Sequence, residues 1–186
     1  MGDRPCNKRV TKSISWPLTC GNVFDRTVAT VRGTAYHLHV GNQLTCGWRD
    51  MKLTDETPLE EVRDFFSHDL FATQACGCHI VEASHGHAVT QLDIQPVHRN
   101  AMGGVMGGAI FTLADYALAV ACNIGENSTV SVSNSIEFLS SAKGERLIAT
   151  CDADKSGRSL GFYTIDVTDE LGTKVARMTA TCFRRA

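Results

Sequence analysis

The sequence predicts an α+β fold in which an antiparallel β-sheet wraps around one long apolar helix. The first observation is a run over residues 107–122 that is apolar on almost every side and so needs cover on most sides. The second is a set of strand-like segments, two before this run and four after it. The third is the length of 186 residues, which is enough for one domain with a sizeable core.

A short helix is predicted at the start of the regular part of the chain. Thr57 is placed as an N-cap threonine, Pro58 as the first helical residue and Glu60 as the third. The apolar residues that follow at helical spacing would form its buried side: Leu59, Val62, Phe65 and Phe66. This helix would precede the first strand of the sheet.

Six strands are predicted from alternating or β-branched runs bounded by turn residues. They cover residues 78–83, 88–96, 129–139, 146–153, 160–168 and 174–183. A turn at 84–87 joins the first two strands, and turns at 155–158 and 169–172 separate the last three. A glycine-rich loop over residues 100–108 leads into the apolar helix.

Residues 1–50 show no sustained helical or strand period, and they carry a net charge of +4 against −6 for the remainder. One interpretation is an extension that lies outside the functional fold, with Met51 as a natural start. The other is a small appended β element, because residues 23–40 have some β-branched character. Under the first interpretation the functional domain is 51–186.

Composition and charge limit the choice of partners. Hydrophobic residues make up 43% of the chain and charged residues 20%, which is typical of a soluble globular protein. The net charge of −2 gives no reason to expect nucleic acid or an anionic membrane as a partner. The polar start shows no secretory signal, and the eight cysteines form no Cys-x-x-Cys pair. We therefore expect a cytoplasmic protein with reduced, mostly buried cysteines.

Asp115 is the anomaly of the apolar helix. It sits in the middle of the run, no Lys or Arg lies within one helical turn, and its position excludes a capping role. Burying an ionised carboxylate without partners costs several kcal/mol, about the stability of a small domain. Either Asp115 bonds a neighbouring group or faces a wet crevice, or it is a functional carboxylate whose pKa is raised by an apolar pocket.

Gly107 and Gly108 open the same helix. Glycines at a helix N-terminus let a ligand approach the free backbone N–H groups, where the helix dipole favours negative charge. This arrangement suits the oxyanion of an attacked thioester carbonyl, although close packing of helix on sheet would also explain two glycines. Gly107 and Asp115 lie about 12 Å apart along a helix axis, at about 1.5 Å per residue. If both serve one reaction, two copies of the helix must lie antiparallel in a twofold dimer.

Two segments carry a resemblance to a known family. Residues 98–115 read HRNAMGGVMGGAIFTLAD, and residues 129–138 read TVSVSNSIEF. The first resembles the signature of the PaaI-type hotdog thioesterases of phenylacetyl-CoA pathways. That signature runs approximately His-x-Asn, a glycine, His-Gly-Gly and an apolar stretch that ends in Leu-x-Asp. The second segment resembles the strand that follows the family's helix, and the whole resemblance covers about residues 58–184.

The resemblance implies a hotdog fold, a dimer or a pair of dimers, and hydrolysis of acyl-CoA thioesters without metal or organic cofactor. By position, Asp115 corresponds to the family's general base or nucleophile, and Gly107 to the residue whose backbone N–H polarises the carbonyl. Asn100 corresponds to a side chain near the thioester and the attacking water. Ser131 corresponds to a hydroxyl that helps to hold that water, with Ser133 as the alternative.

The substrate-binding residues implied by the resemblance include Gly108 and Met106 at the start of the helix. Met106 is a departure, because the family usually has histidine before the two glycines, and this leaves the substrate preference open. The CoA phosphates would meet surface cations, for which Lys155 and Arg158 in the predicted turn at 155–158 are candidates. The acyl group is either aromatic or of medium chain length.

Other signals are weighed against this reading. The pairs His37-x-His39 and His85-x-His87 lack a third ligand in the sequence, so no metal site is predicted. His98 is expected to be a structural residue at the entrance of the loop. An enoyl-CoA hydratase of the same fold would need a histidine paired with a carboxylate, and the replacement by Met106 weighs against it. A non-catalytic acyl-CoA-binding protein remains the alternative from a different class.

Overall fold

The structure is a computed structural model that describes residues 26–31, 34–39, 52–125 and 128–185. The chain divides into two compact units, Met1–Arg49 and Asp50–Ala186. In the first unit, β1 (Arg26–Val31) and β2 (Thr34–His39) form an antiparallel hairpin. The side chains of His37 and His39, and the proposed start at Met51, lie outside the described residues.

Helix α1 (Leu59–Phe66) opens the described part of the second unit, one residue later than predicted. Pro58 is its N-cap residue, and no side chain caps this end. The hydroxyl of Thr57 instead accepts a hydrogen bond of 2.9 Å from the backbone N–H of Thr54, so it is not available to the helix. A π-helical turn, Phe71–Ala75, follows α1 and was not predicted.

The six predicted strands form one antiparallel sheet, so the predicted fold class is confirmed. The strands are β3 (His79–Ser84), β4 (His87–Asp93), β5 (Thr129–Phe138), β6 (Arg146–Ser156), β7 (Leu160–Asp169) and β8 (Lys174–Arg184). Their order across the sheet is β3-β4-β6-β7-β8-β5. β5 therefore lies at an edge, and within the described residues β8 is its single strand partner.

Helix α2 (Gly107–Asn123) packs against this sheet and contacts all six strands. Its buried residues cover most of the circumference of the helix and leave the face of Thr112, Asp115 and Ala119 partly open: Ala109, Ile110, Leu113, Ala114, Tyr116, Ala117, Leu118, Val120, Ala121 and Cys122. The inward faces of the strands meet them with fully buried side chains: Leu147, Ala149, Cys151, Ile165, Val167 and Met178. The sheet supplies the cover that the apolar helix requires.

Two strand ends differ from the prediction by three residues. β4 ends at Asp93 because Pro96 begins a 3₁₀ turn, and proline has no N–H for the ladder. β6 runs on to Ser156, so Lys155 lies in the strand, paired with Phe162, and not in the predicted turn. The register shifts between Ala153 and Lys155, and the pairing of β6 with β7 continues after this irregularity. The strand therefore extends beyond the residues in which apolar and polar side chains alternate. Of the helices in the described ranges, none is long and apolar enough to cross a membrane.

Candidate active site

Asp115 lies near the middle of α2 and faces the edge strand β5. Its side chain is half-buried, and its Oδ1 accepts a hydrogen bond of 3.3 Å from Asn134 Nδ2. Burial raises the pKa of the Asp115 carboxyl, the Asn134 hydrogen bond acts in the opposite direction, and the charge of Asp69 adds to the rise. Both alternatives left open by the sequence are thus present: a side-chain partner, and a carboxylate whose pKa is raised by desolvation.

Asp115 opens onto a cleft of about 610 Å³. The cleft is lined by Asp69, Leu70, Phe71, Ala72, Phe111, Thr112, Asp115, Tyr116 and Ala119. Most of its wall is apolar, and the side chains of Leu70 and Phe71 are 56% and 69% exposed. Among the described residues, its lining contains two carboxylates and no basic side chain. This composition suits an uncharged, largely apolar group held beside Asp115.

Asp69 is the second carboxylate of the cleft, and no sequence pattern points to it. Burial raises the pKa of Asp69, while the neighbouring His68 acts in the opposite direction. Asp69 reaches the cleft because it precedes the π-helical turn, where the backbone N–H of Thr73 bonds the carbonyl of Asp69 at 2.9 Å. π-Helical turns are frequent at functional sites.

A β-bulge in β5 decides which of its side chains face α2. Ser131 pairs with Cys182 and Asn134 with Ala180, and both partners are buried on the inward face of β8. The register shifts between Ser131 and Ser133, so one extra residue lies between the two pairs. Ser131 and Asn134 therefore share the face of Asp115, although they are three residues apart.

Ser133 pairs with Thr181 and lies on the opposite face of the sheet. Ser133 lines a hollow of about 300 Å³ together with Ser135, Thr179 and Phe162. Of the two candidate serines, the structure places Ser131 on the side of Asp115 and Ser133 away from it. The bulge causes this difference. In a regular strand, Ser131 and Ser133 are two residues apart and would lie on the same face of the sheet.

The N-terminus of α2 presents free backbone donors. Met106 is the N-cap residue, no side chain caps this end, and the N–H groups of Gly107 and Gly108 have no acceptor among the described residues. Gly107 is packed closely: a Cβ atom built on it would lie 3.0 Å from the Phe138 ring, whereas one on Gly108 would meet nothing within 4 Å. Gly107 and Phe138 line a second cleft of about 390 Å³.

The loop before α2 is organised by Asn100 and His98. Asn100 Oδ1 accepts hydrogen bonds from the backbone N–H groups of Met102 (2.9 Å) and Gly104 (3.2 Å), and no bond of its Nδ2 is found among the described residues. His98 is buried, its Nδ1 accepts a bond from the Gln95 N–H, and its carbonyl accepts one from the Met106 N–H. His98 thus has the structural position expected of it, and Asn100 keeps one donor for a ligand.

Gly107 and Asp115 are not brought together within one chain. They line two different clefts and lie about 12 Å apart along the helix axis, at about 1.5 Å per residue. The side chain of Met106, which replaces the family histidine, is 57% exposed beside Gly107. A thioester carbonyl bound at Gly107 therefore cannot reach the Asp115 of the same chain.

The remaining candidates lie elsewhere. Lys155 and Arg158 are exposed at the β6–β7 hairpin and line neither cleft. His87 Nδ1 lies 2.7 Å from Asp152 Oδ1, and its Nε2 lies 3.7 Å from Glu82 Oε2, so the imidazole ring lies between two carboxylates. Within the ranges that the structure describes, no three potential ligand side chains are grouped to hold a metal ion.

The sequence is similar to known thioesterases. The family model of the thioesterase superfamily matches residues 102–176. The acyl-coenzyme A thioesterase PaaI of Escherichia coli is 30% identical over 115 residues, and the match covers 59% of this chain and 82% of that protein. Human acyl-coenzyme A thioesterase 13 is 31% identical over 99 residues, 52% of this chain and 71% of that protein.

Solved structures agree. The structure of E. coli PaaI superposes with a TM-score of 0.61 at 25% identity, over 69% of this chain and 97% of that one. A Streptococcus mutans protein bound to acetyl-CoA gives a TM-score of 0.54 at 28% identity, over 57% of this chain and 90% of that one. Sequence and fold thus lead to the same conclusion: the chain belongs to the thioesterase superfamily, as a hotdog-fold thioesterase of the PaaI type.

Proposed function

We propose that the protein hydrolyses acyl-CoA thioesters to the free acid and CoA, with an aromatic or medium-chain acyl group, and that residues 51–186 carry this activity. The observation that carries the proposal is the position of Asp115, a half-buried carboxylate in a largely apolar cleft to which the described residues contribute no cation. Relatives named as acyl-coenzyme A thioesterases and a structural neighbour bound to acetyl-CoA support the choice of substrate.

A complete site needs two chains. Gly107 of one protomer would face the partner subunit's Asp115 when two α2 helices lie antiparallel across a twofold axis. Strand β5 supports this arrangement, because its outer edge has no strand partner among the described residues and Val132 on it is 60% exposed. Pairing β5 with its copy would remove an exposed edge and bring the two helices side by side. A dimer is thus the minimal active unit, and two dimers can associate further.

The proposed reaction uses the groups at the two ends of this site. The thioester carbonyl accepts a hydrogen bond from the Gly107 N–H, at the positive end of the helix dipole, and the developing oxyanion strengthens that bond. The partner subunit's Asp115 either removes a proton from the attacking water or attacks the carbonyl carbon itself. The C–S bond then breaks and CoA leaves as thiolate. In the second route, water afterwards cleaves the acyl-aspartyl anhydride.

Secondary contacts follow from the same geometry. Two donors are available for the substrate or the water: the Nδ2 of Asn100, which has no partner among the described residues, and the hydroxyl of Ser131 on the face of Asp115. Phe71 and Phe111 supply an apolar wall for the acyl group beside Asp115. The exposed cations Lys155 and Arg158 are our candidates for the CoA phosphates, with Gly108 and Met106 at the thioester end. Ser133 has no place in this scheme, because it lies on the far face of the sheet.

The proposal is tested by measuring free thiol released from aromatic and aliphatic acyl-CoAs by wild type and by Asp115→Asn. We expect release by wild type and a loss of at least about a hundredfold in the variant. Asp64→Asn is the matched control, since Asp64 is an exposed carboxylate on α1 and should have the wild-type rate. A wild-type protein that binds the esters without releasing thiol would be a binding protein. Consumption of an enoyl thioester without thiol release would identify a hydratase.

A further inference from the structure

Asn134 makes an unusual set of contacts beside Asp115. Its Nδ2 donates the 3.3 Å hydrogen bond to Asp115 Oδ1, while its own Oδ1 is buried and has no partner among the described residues. Buried amides normally have both ends satisfied, because an unpaired buried polar atom costs stability. Among the described residues, the Asn134 amide thus hydrogen-bonds one group, the carboxylate of Asp115.

Burial and the charge of Asp69 oppose the ionisation of Asp115. Asp69 faces it from the segment before the π-helical turn, and Cys182 from β8. Tyr116 is its neighbour on α2, and the pKa of Tyr116 is raised by burial first and by the charge of Asp69 second. Within the described residues, the Asn134 amide is the side chain that favours the charged form of Asp115.

The bulge in β5 is what brings Asn134 to this position. In a regular strand, side chains three residues apart point to opposite faces, so Ser131 and Asn134 could not both face α2. The extra residue at the bulge lets both do so. Bulges near active sites commonly re-aim one side chain.

We propose that Asn134 is a positioning residue of the thioesterase reaction, whose amide fixes the orientation of Asp115 and keeps it ionised until it takes up a proton or attacks. This inference rests on the proposed function. Both routes of hydrolysis need the ionised form. In the direct route a water proton moves to Asp115, the water oxygen bonds the carbonyl carbon, and the C–S bond breaks. The thiolate of CoA then takes the proton from Asp115.

The test is the pH profile of kcat/KM for Asn134→Leu, a variant of similar shape without a donor. Losing the bond raises the pKa of Asp115, so the acidic limb should move to higher pH, by about one unit. At a pH on the limb, kcat should fall about tenfold with KM within about twofold, and the fall should shrink as the pH rises. Asn134→Asp should move the limb further, since a like charge disfavours ionisation.

Ser135→Ala is the matched control, because Ser135 is the next residue of β5 and faces the other side of the sheet. It should leave the limb in place. If Asn134 has only a structural role, Asn134→Leu and Asn134→Asp should lower the melting temperature and the active fraction without moving the acidic limb of the pH profile. This result would overturn the proposal. A wild-type enzyme that releases no thiol would instead overturn the proposed function. A ¹³C NMR titration of the Asp115 carboxyl then still tests whether Asn134→Leu raises its pKa.

Discussion

At the scale of single residues, the charge of Asp115 is set by two neighbours that act in opposite directions. Desolvation and Asp69 raise the pKa of Asp115, and the Asn134 amide lowers it. A general base must be ionised to accept a proton, and it works best when its pKa lies near the working pH, so shifts in both directions affect the rate. We interpret Asp69 and Asn134 as an opposing pair that acts on the pKa of Asp115 beside the effect of burial.

Replacing Asp69 tests whether its charge raises the pKa of Asp115. Asp69→Asn removes a negative charge from the cleft, so the pKa of Asp115 should fall and the acidic limb of kcat/KM should move to lower pH. The direction is opposite to that expected for Asn134→Leu. The measurement is the pH profile of thiol release, with Asp64→Asn on α1 as the control. A limb that stays in place in Asp69→Asn would mean that the two carboxylates are not coupled.

At the scale of the element, the start of α2 combines free donors with tight packing. The ring of Phe138 lies against Gly107, so position 107 tolerates no side chain without moving the ring or the helix end. Gly108, one residue further on, is exposed and has open space around it. Substituting each glycine in turn by alanine therefore separates the effect of close packing at position 107 from the effect of helix propensity, which both positions share.

We expect Gly107→Ala to lower kcat/KM by roughly 10- to 100-fold, because a small displacement of the donor N–H from the carbonyl is costly. Gly108→Ala should lose much less than Gly107→Ala, since its Cβ meets nothing within 4 Å and displaces neither the Phe138 ring nor the helix end. Steady-state kinetics with circular dichroism for folding would check this pair. Equal losses in both variants would contradict a specific role for the Gly107 N–H.

At the scale of the whole molecule, the two halves of the proposed site lie in different clefts of one chain. Each protomer offers a donor end in one cleft and a carboxylate in the other, and the proposed reaction uses both. A twofold dimer through β5 would build two complete sites from four half-sites. In such a dimer, each site takes Gly107 from one chain and Asp115 from the other. A substitution of Asp115 in one chain therefore affects one site and leaves the other intact.

This arrangement predicts complementation between two inactive variants. In a heterodimer of Asp115→Asn and Gly107→Val chains, one site carries both defects and the other carries none. The heterodimer, purified through two different tags, should therefore have about half the wild-type thiol-release rate. Each homodimer should be nearly inactive. A heterodimer as inactive as its parents would show that the two groups do not meet across the subunits.

The sequence by itself determined the elements and their arrangement around α2. A helix that is apolar on almost every side needs cover on most sides, and the strand segments are long enough for their period of two to be recognised. It also pointed to Asp115 and Gly107, because a lone carboxylate in an apolar helix and paired glycines at its start are local anomalies. Such features depend on neighbours along the chain, which the sequence contains.

The tertiary structure decided which other residues reach Asp115. Asp69 comes from a π-helical turn that no periodic pattern indicates, and Asn134 faces α2 because a single extra residue in β5 shifts the register after Ser131. The same shift removes Ser133 from the site. A bulge depends on how β5 pairs with β8, and this pairing is a contact between distant parts of the chain. Local sequence patterns contain the period of each strand but not the register between strands.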